Sequence, residues 1–277
     1  MKTPVNRLKD FQDQFIASAT KHKPDMPFIY DEKTTLSMHF DTHSIQSVML
    51  KTDPEYLILD YTRTMMGFLF FTPAPKTIAM IGLGGGSLAK YCTKYLPNAH
   101  FTAIEINANV IALREQFNIP ADSEKFSILH TDGHDYVTNK VNKVDVLIID
   151  AFTDAGHPPK LCSAGFYDNC YAKLNEGGVM VANLLGSDIK FGTYASRIRD
   201  SFEDKVVVVD VEDEGNKIAF AYKGSSFPPS KEVLVERIGT WGPKHPIPLH
   251  NTAQKIMHRL HKHTSHTEWE QLSRVGM

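Results

Sequence analysis

The sequence has few cysteines, and their spacing fits neither a disulfide framework nor a metal site. Three occur in 277 residues, at Cys92, Cys162 and Cys170. An odd number of cysteines without C-x-x-C spacing argues against structural zinc and suits a reducing compartment. We therefore expect no disulfide and no bound metal.

Long apolar runs and an excess of charge are also missing. The longest apolar run, Met65–Phe71, is too short to cross a bilayer, and the first residues lack the apolar stretch of a signal peptide. The formal net charge of −2 gives no chain-wide reason to bind nucleic acid. For the C-terminal histidines a solvated helix face is favoured over a metal site; they are His258, His261, His263 and His266. We expect a cytoplasmic protein that binds neither nucleic acid nor membrane.

The pattern of apolar residues divides the chain into three parts. Residues 1–75 have short alternating segments, which predict a small β region and a linking helix. Residues 76–225 alternate strands with helices, and residues 226–277 are predicted to form a helical extension. The strands predicted for the middle part are Thr77–Leu83, His100–Asn107, Phe126–Thr131, Val144–Asp150, Val179–Leu185, Val206–Val211 and Lys217–Tyr222.

The strands of the middle part predict one particular α/β fold. The early strands are almost wholly apolar, as in a parallel sheet covered on both faces, whereas the last two resemble an antiparallel hairpin. This order predicts an S-adenosylmethionine-dependent methyltransferase-like Rossmann fold, with a seven-stranded sheet, a terminal antiparallel hairpin and a small N-terminal β region. Gly177 and Gly178 are predicted to close a helix over Phe166–Asn175. In the extension, a helix is predicted over Thr252–His263.

A glycine-rich turn follows the first strand of the middle part. It contains Gly82, Gly84, Gly85 and Gly86, and a helix begins directly after it. Glycine allows the backbone to turn sharply and to approach a ligand closely. Glu105 ends the next strand, where a carboxylate can accept hydrogen bonds from both hydroxyls of a ribose. Together these residues predict a site for an adenosine-containing cofactor.

Acids follow the third and fourth strands as well. Asp132 and Gly133 end the third strand, and Asp132 either contacts the adenine amino group or caps a helix. Asp150 and Asp154 follow the fourth strand and are the candidate catalytic acids, one to stabilise a sulfonium cation and one to accept a proton from an amine. Alternatively, they are ordinary turn residues. His157, in the same loop, is either a base or an exposed loop residue.

At these motifs the sequence resembles the spermidine synthase family, the aminopropyltransferases of polyamine biosynthesis. The similarity covers roughly Asp41 to Leu185 and includes IGLGGGSLAKY, IEIN, TDGHDYV, VDVLIIDAFTDAGHPP and GFYDNCYAKLNEGGVMVANL. It implies that decarboxylated S-adenosylmethionine is the co-substrate, that a small amine is the acceptor, and that the chain forms a homodimer. In the less specific upstream segments DTHSIQ and DYTRTMM, it implies a cofactor contact from Gln46 and an amine contact from Tyr61.

The sequence departs from the family pattern at two places where charge changes. Gly85 stands where the family has an acid, and Thr62 and Arg63 stand where it usually has Gln or His and then Glu. A lost acid and a gained arginine would favour the carboxylate of intact S-adenosylmethionine, and hence methyl transfer. Alternatively, Arg63 points to solvent or pairs with Asp60 or Glu55 on the surface.

The loop after Asp150 is one residue longer than the family pattern, so either Asp150 or Asp154 can be the proton acceptor. We favour Asp150 at the strand end and Asp154 as the loop acid. Three functions remain open: aminopropyl transfer, methyl transfer to an unknown small molecule, and nucleoside binding without catalysis. The first is favoured.

Overall fold

The structure is a computed structural model that describes residues 26–40, 45–153, 156–211 and 215–260. The first strands of the chain are β1 (Phe28–Asp31), β2 (Thr35–His39) and β3 (Ser47–Leu50). They form a small antiparallel sheet in the order β1–β2–β3. Alternate residues of β3 are buried, as expected for a strand that packs on one face only.

A seven-stranded sheet forms the centre of the molecule. Its strands are β4 (Thr77–Ile81), β5 (His100–Glu105), β6 (Phe126–His130), β7 (Val144–Ile149), β8 (Leu174–Leu185), β9 (Val206–Asp210) and β10 (Asn216–Tyr222). They lie in the order β6–β5–β4–β7–β8–β10–β9. Strands β4 to β8 run parallel, and β10 pairs antiparallel with both β8 and β9, so the predicted fold class is confirmed. The order reverses beside β4, which places a ligand crevice at the carboxyl ends of β4 and β7.

Helices cover both faces of this sheet. Along β7, Val146 and Ile148 lie in one buried cluster while Leu147 and Ile149 lie in another, which explains why the strand is almost wholly apolar. No helix among the described residues has the length and apolar character needed to cross a membrane. The helices are α1 (Asp60–Met65), α2 (Ser87–Tyr95), α3 (Ala108–Ala112), α4 (Gly133–Thr138), α5 (Ala164–Lys173), α6 (Phe191–Ser201), α7 (Lys231–Trp241) and α8 (249–260).

The predicted end of α5 is wrong. The helix ends at Lys173, and β8 begins at once with Leu174, whose backbone is extended and whose side chain is buried. Gly177 lies within β8, with a φ of 78°, and its N–H donates to the carbonyl of Lys223 at 2.8 Å. The glycines therefore serve an irregular strand start and not a helix end.

The C-terminal part contains one more helix than the sequence patterns indicated. Helix α7 begins after Ser230, whose side chain accepts a hydrogen bond from the N–H of Val233 at 3.3 Å. The predicted helix Thr252–His263 corresponds to α8 as far as residue 260, and its remainder lies outside the described residues. Leu249 and Ile256 share a buried cluster with Met49 of β3, so the boundaries at 75 and 225 stay a prediction.

Candidate active site

The glycine turn lies directly against the end of β7. Gly82 has a φ of 95°, and a Cβ atom there would lie 2.1 Å from the carbonyl oxygen of Asp150. The N–H of Asp150 donates to the carbonyl of Ile81 at 2.9 Å. Only glycine permits this approach, because any side chain would collide with backbone. The predicted cofactor turn and the predicted catalytic acid are therefore neighbours.

Glu105 is buried beside the same turn, with 8% of its surface exposed. Its Oε2 accepts from the N–H of Leu83 at 2.9 Å, and its Oε1 accepts from the N–H of Asn107 at 2.8 Å. Burial raises the pKa of this carboxyl, while the bonds from the backbone oppose that effect. A carboxylate has about four lone-pair sites, so Glu105 can brace the turn and still accept from a hydroxyl of a ligand.

Asp132 caps α4, as one of its two alternatives predicted. Its Oδ1 accepts from the N–H of His134 at 2.9 Å, and its Oδ2 lies 3.4 Å from Nζ of Lys160. At Gly133, a Cβ atom would lie 2.4 Å from Cγ2 of Ile81, so glycine lets α4 approach β4 closely. The contact of Asp132 with adenine stays a prediction.

Asp150 is held by a side chain of the neighbouring strand. Its Oδ1 accepts from Nδ2 of Asn183 at 2.9 Å, and Asn183 itself is only 3% exposed. Within the described chain, Oδ1 of Asn183 is a buried atom with no hydrogen-bond partner. Asn183 was not among the site residues predicted from the sequence. The signal was available, because Asn183 is the polar residue in the buried stretch Val179–Leu184.

The small sheet contributes to the same region through β3. The N–H of Gln46 donates to the carbonyl of Met38 at 3.0 Å, which places the next residue, Ser47, against the glycine turn. A Cβ atom on Gly84 would lie 3.7 Å from Cβ of Ser47, and one on Gly85 would lie 2.6 Å from its Oγ. The structure thus brings the start of β3, directly after Gln46, next to the turn.

The space beside Gly85 is filled by an aromatic ring. A Cβ atom on Gly85 would lie 2.7 Å from the ring of Phe117, which is fully buried. Nζ of Lys90 donates to the carbonyl of Phe117 at 2.7 Å, and burial lowers the pKa of Lys90 to about 8. An acid at position 85 would therefore require Phe117 to move.

Arg63 is bound within its own segment. Its Nη1 donates to the carbonyls of Leu57 and Ile58 at 2.6 and 2.5 Å, and its Nη2 lies 3.0 Å from Oδ1 of Asp60. The alternative in which Arg63 pairs with Asp60 is thus the one observed. These contacts speak against the expectation that Arg63 holds a cofactor carboxylate.

Two predicted catalytic residues are less closely defined. Tyr61 is half-buried in α1, which packs against β8 and β10. Asp154 lies outside the described residues. Across the ranges that the structure describes, no group of three or more His, Cys, Asp or Glu side chains could hold a metal ion. The roles of Tyr61 and Asp154 stay predictions.

The proteins whose sequences resemble this chain point to one family. A family profile described as the spermine/spermidine synthase domain matches residues 59–188. The polyamine aminopropyltransferase of Chromobacterium violaceum is 35% identical over 210 residues, which are 76% of this chain and 80% of that protein. The protein of the same name from Neisseria meningitidis serogroup A is also 35% identical, over 71% of this chain and 76% of its own length.

Solved structures share the fold. A probable spermidine synthase from Corynebacterium glutamicum superposes with a TM-score of 0.67 at 18% identity, covering 85% of this chain and 93% of that one. A spermidine synthase in complex with the transition state analogue AdoDATO gives 0.56 at 23% identity, with 73% and 75% covered. Human methyltransferase-like protein 13 in complex with SAH gives 0.60 at 21% identity, with 71% and 93% covered. From its sequence relatives, this chain belongs to the spermine/spermidine synthase family.

Proposed function

We propose that this chain transfers an aminopropyl group from decarboxylated S-adenosylmethionine to a small amine and releases methylthioadenosine. The observation that supports this most directly is the contact between the glycine turn and Asp150, because it joins a nucleoside site to an acid that can take a proton. The relatives named polyamine aminopropyltransferase support the same reaction. Nothing in the comparisons favours methyl transfer or binding without catalysis.

The donor would be held mainly by its nucleoside. Glu105 would accept hydrogen bonds from the ribose hydroxyls through its free lone pairs. Asp132 would accept from the adenine amino group while it caps α4. Gln46, directly before β3, would contact the donor, and the turn from Gly82 to Gly86 would allow close approach of the backbone.

The reaction needs a deprotonated amine beside a sulfonium. The amine nitrogen attacks the carbon next to the sulfur, a C–N bond forms, and the C–S bond breaks. The electron pair of that bond stays on sulfur, which becomes the neutral thioether of methylthioadenosine. Asp150, oriented by Asn183, would accept the proton of the amine. Asp154 and Tyr61 would position the amine. Alignment of the two reactants supplies a further large part of the rate.

Product analysis tests the proposal. The protein is incubated with decarboxylated S-adenosylmethionine and a panel of diamines, and methylthioadenosine is quantified by chromatography. We expect turnover that falls by about 100-fold or more in Asp150→Asn, because proton transfer is lost. Formation of S-adenosylhomocysteine from the intact cofactor, without methylthioadenosine from the decarboxylated one, would overturn the proposal.

The proposed function includes an assembly state and a location. The resemblance to the family supports a homodimer in the cytoplasm that acts on small molecules and not on nucleic acid. Light scattering on the purified full chain tests the dimer, which predicts twice the chain mass of 31.1 kDa. Fractionation of the source cells tests the location.

A further inference from the structure

The loop from Asp150 to His157, the acidic loop, is hydrogen-bonded at both ends to β8. At its start, Asn183 of β8 donates to the Asp150 carboxylate at 2.9 Å. At its end, the N–H of Leu185, two residues further along β8, donates to Nε2 of His157 at 3.1 Å. Between these points, Thr153 and Gly156 exchange two backbone hydrogen bonds of 2.8 and 2.9 Å. The end of β8 therefore holds both ends of the acidic loop.

The ring of His157 is also enclosed by aromatic side chains. The centroid of Phe152 lies 4.6 Å away, and the ring of Tyr194 on α6 meets it edge-on at 5.4 Å. His157 is half-buried, so it is not the exposed loop residue that one alternative predicted. Its orientation is set by two rings and one hydrogen bond.

The hydrogen bond from Leu185 defines the chemical state of this imidazole. A nitrogen that accepts from a backbone N–H must be unprotonated, so Nδ1 bears the proton of the neutral ring. Burial lowers the pKa of His157 and favours this neutral state, while Asp188 after β8 opposes the effect. Because Nε2 is already occupied by Leu185, it is not available to take a proton from an amine.

We propose that His157 is a positioning residue: its imidazole ties the acidic loop to the end of β8 and so fixes the direction of the Asp150 carboxylate. The anchor acts through the loop, because Nε2 of His157 is bonded to the backbone of β8. Its catalytic consequence depends on the proposed aminopropyl transfer, but the anchor itself is a property of the loop.

Two substitutions separate anchoring from proton transfer and from packing. In His157→Gln the amide oxygen can accept from Leu185, whereas His157→Leu keeps the bulk and removes the acceptor. We expect kcat to fall about tenfold or more in the Leu variant, since a misplacement of about 1 Å can cost up to 100-fold, and to stay within about threefold in the Gln variant. Neither variant should change the Kd of methylthioadenosine, because the glycine turn is untouched.

His245→Leu is the matched control. This histidine is buried, shares a hydrogen bond of 2.8 Å with the hydroxyl of Tyr91, and belongs to the C-terminal part of the chain. Its replacement should lower stability and leave kcat per folded molecule unchanged. Hydrogen exchange at the amide of Leu185 is measured in all variants and should accelerate only in His157→Leu.

Several outcomes would overturn the inference. Equal losses of kcat in the Gln and Leu variants would assign the effect to proton transfer or to ring packing, and an unchanged kcat in the Leu variant would remove the role altogether. If the wild-type protein shows no aminopropyl transfer, the proposed function fails. The exchange rate at Leu185 still decides whether His157 anchors the loop, and fast exchange in the wild type would contradict it.

Discussion

Replacing Gly82 by alanine should damage both the fold and the active site, because the new Cβ atom would lie 2.1 Å from the carbonyl oxygen of Asp150. A non-glycine residue in a left-handed backbone conformation costs roughly 1–2 kcal/mol. Forced overpacking typically adds about 1–3 kcal/mol, and here the obstacle is backbone that cannot rotate away. We therefore expect Gly82→Ala to lower the free energy of unfolding by about 2–5 kcal/mol.

Gly84→Ala provides the matched comparison. Gly84 also has a positive φ, of 52°, but its nearest neighbour would be Cβ of Ser47 at an ordinary 3.7 Å. Only the conformational cost of about 1–2 kcal/mol should remain there. Urea unfolding followed by circular dichroism measures both losses of stability. In Gly82→Ala kcat should fall as well, since the new methyl group can be accommodated only if Asp150 moves. Equal losses of stability in the two variants would refute the argument from backbone contact.

Three further substitutions test other contacts. Asn183→Leu removes the donor to Asp150 and should lower kcat about tenfold with little change in KM, measured by steady-state kinetics. In Lys90, the folded-state pKa of about 8 lies below the ordinary 10.5, so the unfolded chain binds more protons between these values and stability rises with pH there. Relative to Lys90→Met, the wild type should gain about 3 kcal/mol of unfolding free energy from pH 8 to 10.5, measured by urea unfolding. Arg63→Gln should lower the free energy of unfolding by about 1–3 kcal/mol, because Asp60 and the backbone carbonyls of Leu57 and Ile58 lose a charged donor. Calorimetry on this variant should show an unchanged ratio of affinities for intact and decarboxylated S-adenosylmethionine.

The fold could be predicted because its signals are local. The apolar run of β7 reports burial on both faces, and the glycines after Ile81 report a turn that no other residue can make. The acids at strand ends were found for the same reason, since parallel strands bring their carboxyl ends to one edge of the sheet. Glu105 and Asp150 therefore meet the turn where the sequence predicted them.

The contacts that define the site in detail depend on tertiary structure. Asn183 reaches Asp150 only because β8 lies beside β7, and no spacing in the sequence encodes that neighbour. Phe117 fills the space at Gly85 from a turn 32 residues away, and no motif around Gly85 reveals that this ring, and not an acid, lies beside the glycine. The two alternatives for Arg63 could not be separated from the sequence for a related reason: besides Asp60, its acceptors are backbone carbonyls, which all residues share.

The edge strand β9 has a consequence for how the chain can be shortened. It contains four consecutive valines, Val206 to Val209, and a flat apolar edge of this kind can template pairing with other chains. Its last residue, Asp210, forms ion pairs with Lys217 of β10 and Arg259 of α8. Val207 and Val209 share their buried cluster with Ile256, also of α8. A chain truncated before residue 249 would uncover these valines, and its first defect would be self-association in solution.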